Sequence, residues 1–96
     1  MHVCLVGVDL RLTEIDVWKY EREFFELYNN GPTVDLANFQ ISGSFDKTFF
    51  DRTSFESQTY GLFTTNPHAF VTLTDPRPFV AEINSNVENE TVKILY

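Results

Sequence analysis

Imidazole and thiol groups are scarce in this chain, since His2, His68 and Cys4 are the whole supply. His2 and Cys4 stand two apart in an apolar N-terminal stretch, so on a strand they share one face, as a pair of metal ligands would need. A terminal imidazole and a small core thiol explain the same pair without a metal. A nucleophile would need Cys4 or a serine beside a histidine that an acid orients. Only His68 is centrally placed, in the turn Thr65-Asn66-Pro67-His68, where it reads as a solvated loop residue. Gly7, Gly31, Gly43 and Gly61 are too dispersed for a phosphate-cradling loop. Asp46, Asp51 and Glu56 recur every five residues, a spacing that makes no one-sided array on a helix or strand. The chain is therefore read as a non-enzyme, with no catalytic residue, no metal and no cofactor.

Charge narrows the partner. Fourteen Asp and Glu against seven Lys and Arg leave a net charge of -7, which excludes bulk electrostatic binding to nucleic acid or to an anionic membrane surface. The excess is -3 over residues 1–30, -2 over 31–60 and -2 over 61–96, so the fold alone can gather it into a patch. A lone cysteine cannot form an intramolecular disulfide, and the apolar N-terminal run is too short for a signal segment or a span. The expectation is a cytoplasmic, soluble protein forming a single domain over residues 1–96.

The elements that would carry these residues follow from periodicity. Residues 2–8 read as a strand. A helix is expected over about 13–29, with Thr13 as its cap, Asn29-Asn30-Gly31-Pro32 as its stop, and Val17, Tyr20, Phe24, Leu27 and Tyr28 as its core stripe. A strand through Val34, Leu36 and Ile41 ends near Gly43, and 45–63 is irregular with pairing at 57–63. Further strands are expected at 69–74, 79–83 and 91–96, with turns at 75–78 and 84–89. No internal repeat is evident. The fold class is α+β, one long helix packed on a small, mainly antiparallel sheet with a C-terminal three-stranded meander.

That meander, Val71-Thr72-Leu73-Thr74-Asp75-Pro76 through Phe79-Val80-Ala81-Glu82-Ile83 to Val92-Lys93-Ile94-Leu95, resembles the C-terminal strands of phage uracil-DNA glycosylase inhibitors. The likeness spans about the last quarter of the chain and carries over no site residue.

Two clusters are candidates for a protein contact. On the expected helix, Glu14, Trp18, Glu21 and Phe25 form a strip of two acids and two large aromatics, the composition of interface hot spots. In the Phe-rich segment, Phe49, Phe50 and Phe55 lie beside Asp46, Asp51 and Glu56. Ten Phe in so short a chain strain the capacity of one core. The reading that follows is an acidic binding protein, an inhibitor of phage counter-defence or immunity type. Its partner is a protein with a basic nucleic-acid-binding surface, which carboxylates in place of phosphates would engage; it binds neither nucleic acid nor membrane directly. The alternative is a structural or self-associating subunit, a homo-oligomer; a small enzyme using a carboxylate pair stands third.

Overall fold

Val8, Leu10 and Leu12 alternate with polar residues, which is strand chemistry, and the phase then shifts by one to reach Ile15. In the computed structural model, which describes residues 2–5, 8–16, 23–72, 78–85 and 92–95, that shift is a β-bulge. Strand β1 (His2–Leu5) pairs antiparallel with β2 (Val8–Asp16), and β2 pairs antiparallel with β3 (Phe24–Asn29). Their register runs from Leu10 opposite Asn29 to Asp16 opposite Phe24, with the irregularity between Leu12 and Glu14.

The helix expected over about 13–29 is thus absent, and the α+β assignment is corrected to a mostly β fold. Two causes produce the false helical pattern. The bulge at Thr13 turns an alternating series into one with a three-residue step. Strand β3 is buried on both faces, so Phe24, Phe25, Leu27 and Tyr28 are apolar at both parities, and the set mimics i, i+3, i+4 spacing.

The remaining elements are β4 (Val34–Asp35), β5 (Gln40–Gly43), β6 (Phe45–Thr48), β7 (Ser54–Phe55), β8 (Tyr60–Thr64), α1 (Pro67–Thr72), β9 (Phe79–Glu82), β10 (Asn84–Ser85) and β11 (Val92–Leu95). They form a five-stranded sheet ordered β1-β2-β3-β8-β9, a four-stranded sheet ordered β10-β6-β5-β11, and the ribbon β4-β7. The strand expected at 69–74 is instead α1 up to Thr72. Pro67 sits at its first position, and the Asn66 carbonyl and Oδ1 accept from the Ala69 amide at 3.2 and 3.3 Å. The C-terminal meander is also overturned. Strand β9 runs parallel to β8, β10 pairs with β6 and β11 with β5, so no two of the last three strands are neighbours. The likeness to the glycosylase-inhibitor strands, which depended on consecutive pairing, goes with it.

One apolar cluster joins all three sheets: Leu10, Phe25, Leu27 and Phe63 from the larger sheet, Ile41, Phe45 and Val92 from the smaller, and Val34 and Phe55 from the ribbon. Phe25 stacks on Phe63 at 4.8 Å and 7°, and meets Phe45 at 5.1 Å. On the opposite face of the larger sheet, α1 lays Phe70 edge-on against Phe24 at 5.3 Å, and the two close over Leu62.

The centre of the chain repeats its backbone pattern at an offset of 20 residues. Asn29 N donates to Thr59 O at 2.9 Å, and Phe49 N donates to Phe39 O at 3.0 Å. Asn38 N donates to Phe49 O at 2.7 Å, and Gln58 N to Asn29 O at 2.8 Å. Shifting one residue of each pair up by 20 and its partner down by 20 turns one bond into the other. The same operation exchanges Tyr28↔Tyr60 with Gln40↔Thr48, Leu27↔Gly61 with Ile41↔Lys47, and the two ribbon pairs with each other. Asn38 and Gln58 hold matching left-handed turns, at φ 71° and 59°. Residues 25–43 and 45–63 are therefore related by an internal pseudo-two-fold axis. Identity survives only at Phe25/Phe45 and Thr33/Thr53, which is why the sequence shows no repeat.

Candidate functional site

The pleat sorts β2 and β3 residues between the two faces of the larger sheet. Leu10, Leu12, Ile15, Phe25 and Leu27 point into the core; Asp9, Arg11, Glu14, Asp16, Glu26 and Tyr28 occupy the outer face. On these two strands four carboxylates stand against one guanidinium, a sum of -3. Arg11 lies 3.4 Å from Asp9 across a partly exposed ion pair. Glu14 stands directly opposite Glu26, an arrangement that costs stability when like charges face each other. Thr13, at the bulge, donates its hydroxyl to Glu26 Oε1 at 2.8 Å and so holds the buried member of the two acids. The bulge that hid the strand thus also places the polar group that Glu26 uses.

Beside the acids stands an aromatic pair. Tyr28 and Tyr60 lie opposite each other on β3 and β8 with ring centroids 4.8 Å apart, and Tyr28 OH donates to Gln58 Oε1 at 2.9 Å. Tyr60 is 49% exposed. Phe79, paired with Leu62 on edge strand β9, is 52% exposed. Acids and half-exposed rings on one sheet can meet a partner's cations and then exclude water around them.

The candidates read from the sequence divide. Trp18 and Glu21 lie outside the described residues. Glu14 is exposed on the outer face, but Phe25 is fully buried on the inner one, so the helical strip does not exist. In the second cluster Phe49 and Phe55 are core residues at 3% and 1% exposure. Glu56 is exposed near the ribbon and accepts from Ser54 Oγ at 3.3 Å. Asp46, Phe50 and Asp51 do come together, around shallow grooves that Lys47 and Thr48 also line. Sequence reasoning missed Tyr28, Tyr60 and Glu26; the strand pairing that joins them spans some thirty residues and leaves no local signal.

Among the described residues no three His, Cys, Asp or Glu converge as metal ligands. His68 is exposed in the first turn of α1. Among the described residues no helix is long and apolar enough to cross a membrane. Comparison of the chain with family models, with curated proteins and with solved structures finds no match.

Proposed function

We propose that this protein is a non-catalytic acidic binding protein that engages, and thereby blocks, the basic nucleic-acid-binding surface of a partner protein. The observation that carries the reading is the outer face of the larger sheet, where exposed Glu14 and half-exposed Asp9 and Asp16 share a face with the Tyr28–Tyr60 pair. Opposite charge speeds encounter and the half-exposed rings slow dissociation.

Charge density refines the mode of contact. Strand β2 runs about 30 Å and carries three outward carboxylates, one per about 10 Å, against one phosphate per about 3.4 Å along a DNA strand. That is too sparse for a phosphate ladder. The acids act as separate contacts to individual Lys or Arg side chains, and specificity comes from the aromatic rings between them.

The test is binding of purified protein to basic nucleases, glycosylases and other nucleic-acid-acting enzymes, read by calorimetry across salt. A complex that weakens steeply with salt and competes with DNA is expected. Glu14→Lys with Asp16→Lys should weaken it at least tenfold, while moving stability by less than about 1 kcal/mol because Glu14 is exposed and Asp16 half-exposed. Binding that is indifferent to both salt and the double substitution would overturn the proposal.

A further inference from the structure

We propose that Asn30-Gly31 is a spontaneous deamidation site that the turn after β3 holds closed, so that conversion of Asn30 to a carboxylate permanently marks a chain whose turn has opened. Asn30 is the one asparagine in the sequence that precedes a glycine. With no side chain on Gly31, the backbone nitrogen of that residue can reach the neighbouring carboxamide. Solvent base takes the Gly31 N–H proton, the nitrogen bonds to Asn30 Cγ, and the Cγ–Nδ2 bond breaks as ammonia leaves with that proton. Water then adds to either carbonyl of the five-membered imide and one ring C–N bond opens. The product is aspartate or isoaspartate, and the new carboxyl gives its proton to the ammonia. The fold favours the glycine that makes this possible. A Cβ at position 31 would stand 3.1 Å from the Asp9 amide nitrogen, so the close approach of β2 selects the smallest residue.

In the folded chain the reacting groups are held apart. Asn30 Nδ2 donates to Asp9 Oδ2 at 3.0 Å, which turns the carboxamide toward Asp9. The Gly31 N–H donates to Asn29 Oδ1 at 2.9 Å, so the proton that base must remove is engaged. The carbonyl of the same peptide group accepts from Gln58 Nε2 at 3.1 Å, and the peptide plane is thereby fixed at both ends. Its two anchors are themselves tied down. Asn29 is buried and donates to the carbonyls of Pro32, Phe55 and Glu56, while Gln58 Oε1 accepts from Tyr28 OH. Attack requires the plane to turn and the carboxamide to swing off Asp9, so all three hydrogen bonds must break together. Asn30 is exposed, which leaves water and base at hand once they do. The product does not fit back. An aspartate there sets a second carboxylate against Asp9 Oδ2 where a donor stood, and an isoaspartate adds an atom to the backbone of the turn.

The experiment incubates the intact chain at mildly alkaline pH, folded and in concentrated urea, and follows conversion at Asn30 by peptide mass mapping. The folded chain should convert roughly a hundredfold more slowly than the unfolded one, the combined effect of three hydrogen bonds that must break. Gly31→Ala should suppress the reaction in urea, which identifies the nucleophile. Asp9→Ala and Gln58→Ala each release one hold. Each should speed conversion of the folded chain about fivefold beyond the share that its urea midpoint assigns to global unfolding. Chain converted in urea and returned to buffer should refold with a lower urea midpoint, as should Asn30→Asp. Equal rates in folded and unfolded chain overturn the proposal, as does an Asn30 that stays unreactive in urea. An acceleration in both variants that global unfolding accounts for entirely overturns the closure by the turn, and an unchanged midpoint after conversion overturns the lasting effect. None of these readouts involves a partner, so they stand apart from the acidic-face proposal.

Discussion

Asp35 shows how a single side chain can tie the two halves of the molecule together. Its Oδ1 accepts from the amides of Ala37 and Thr53, each at 3.0 Å, and its Oδ2 lies 3.3 Å from Arg52 Nε. Those two amides first, with Arg52 adding to them, hold its carboxyl below the ordinary 3.8 against the opposing effect of desolvation. A carboxyl whose folded pKa is depressed stabilises the fold at pH above its unfolded value and loses that contribution as pH falls through the folded one. The wild type should therefore lose stability on acidification below about pH 4, the ordinary aspartate range. Asp35→Asn should be less stable at neutral pH and show a shallower decline there, as urea midpoints at pH 7 and pH 3 would measure. Parallel decline in both proteins would show that Asp35 is a spectator. Asn29 works in the same way without charge. It is buried, it donates to the carbonyls of Pro32, Phe55 and Glu56 at 3.0–3.2 Å, and its Oδ1 accepts from the Gly31 amide. In the sequence that residue reads as a helix stop, and it does end a regular element, β3, though of the other kind.

At the scale of elements, legibility followed how local the determining contacts are. Strands β9 and β11 and the end of β5 at Gly43 are visible as β-branched or aromatic runs between turn residues. A helix over 13–29 is mimicked by two features, a bulge that resets the alternation at Thr13 and a central strand buried on both faces. Helix α1 carries a local signal that β-propensity over Ala69–Thr74 outweighed, namely Asn66 as cap followed by Pro67. Gly61 shows what only packing supplies. A Cβ there would stand 2.6 Å from Val80 Cγ2 and 2.8 Å from Phe55 Cζ, so β8 can lie beneath the Phe55 ring only without a side chain. Gly61→Ala should cost about 1–3 kcal/mol, the range for overpacking. Denaturant unfolding checks this, and a neutral outcome would mean that Val80 and Phe55 shift aside.

For the whole molecule, the pseudo-two-fold makes a prediction that neither half makes alone. Phe25 and Phe45 occupy equivalent positions, both are fully buried, and they touch each other. Each truncation to Ala should cost about 3–5 kcal/mol. Because the rings are in contact, the double variant should lose less than the sum of the two single losses, as a double-mutant cycle would read. Simple additivity would mean that the two rings stabilise separate regions.

The sequence alone determined the quantities that are sums over residues: an acidic balance that disfavours nucleic acid, a poor supply of metal-ligating and nucleophilic groups, and an excess of phenylalanine. It also marked several turns, because a turn is made by the residues within it. Tertiary structure decided which acids gather and which rings are exposed. Those outcomes depend on strands that pair across tens of residues, and pairing is chosen by the core as a whole. Hence eight phenylalanines vanish into the interior, Phe50 and Phe79 remain outside, and Asp9, Glu14, Asp16 and Glu26 come to share one face of one sheet.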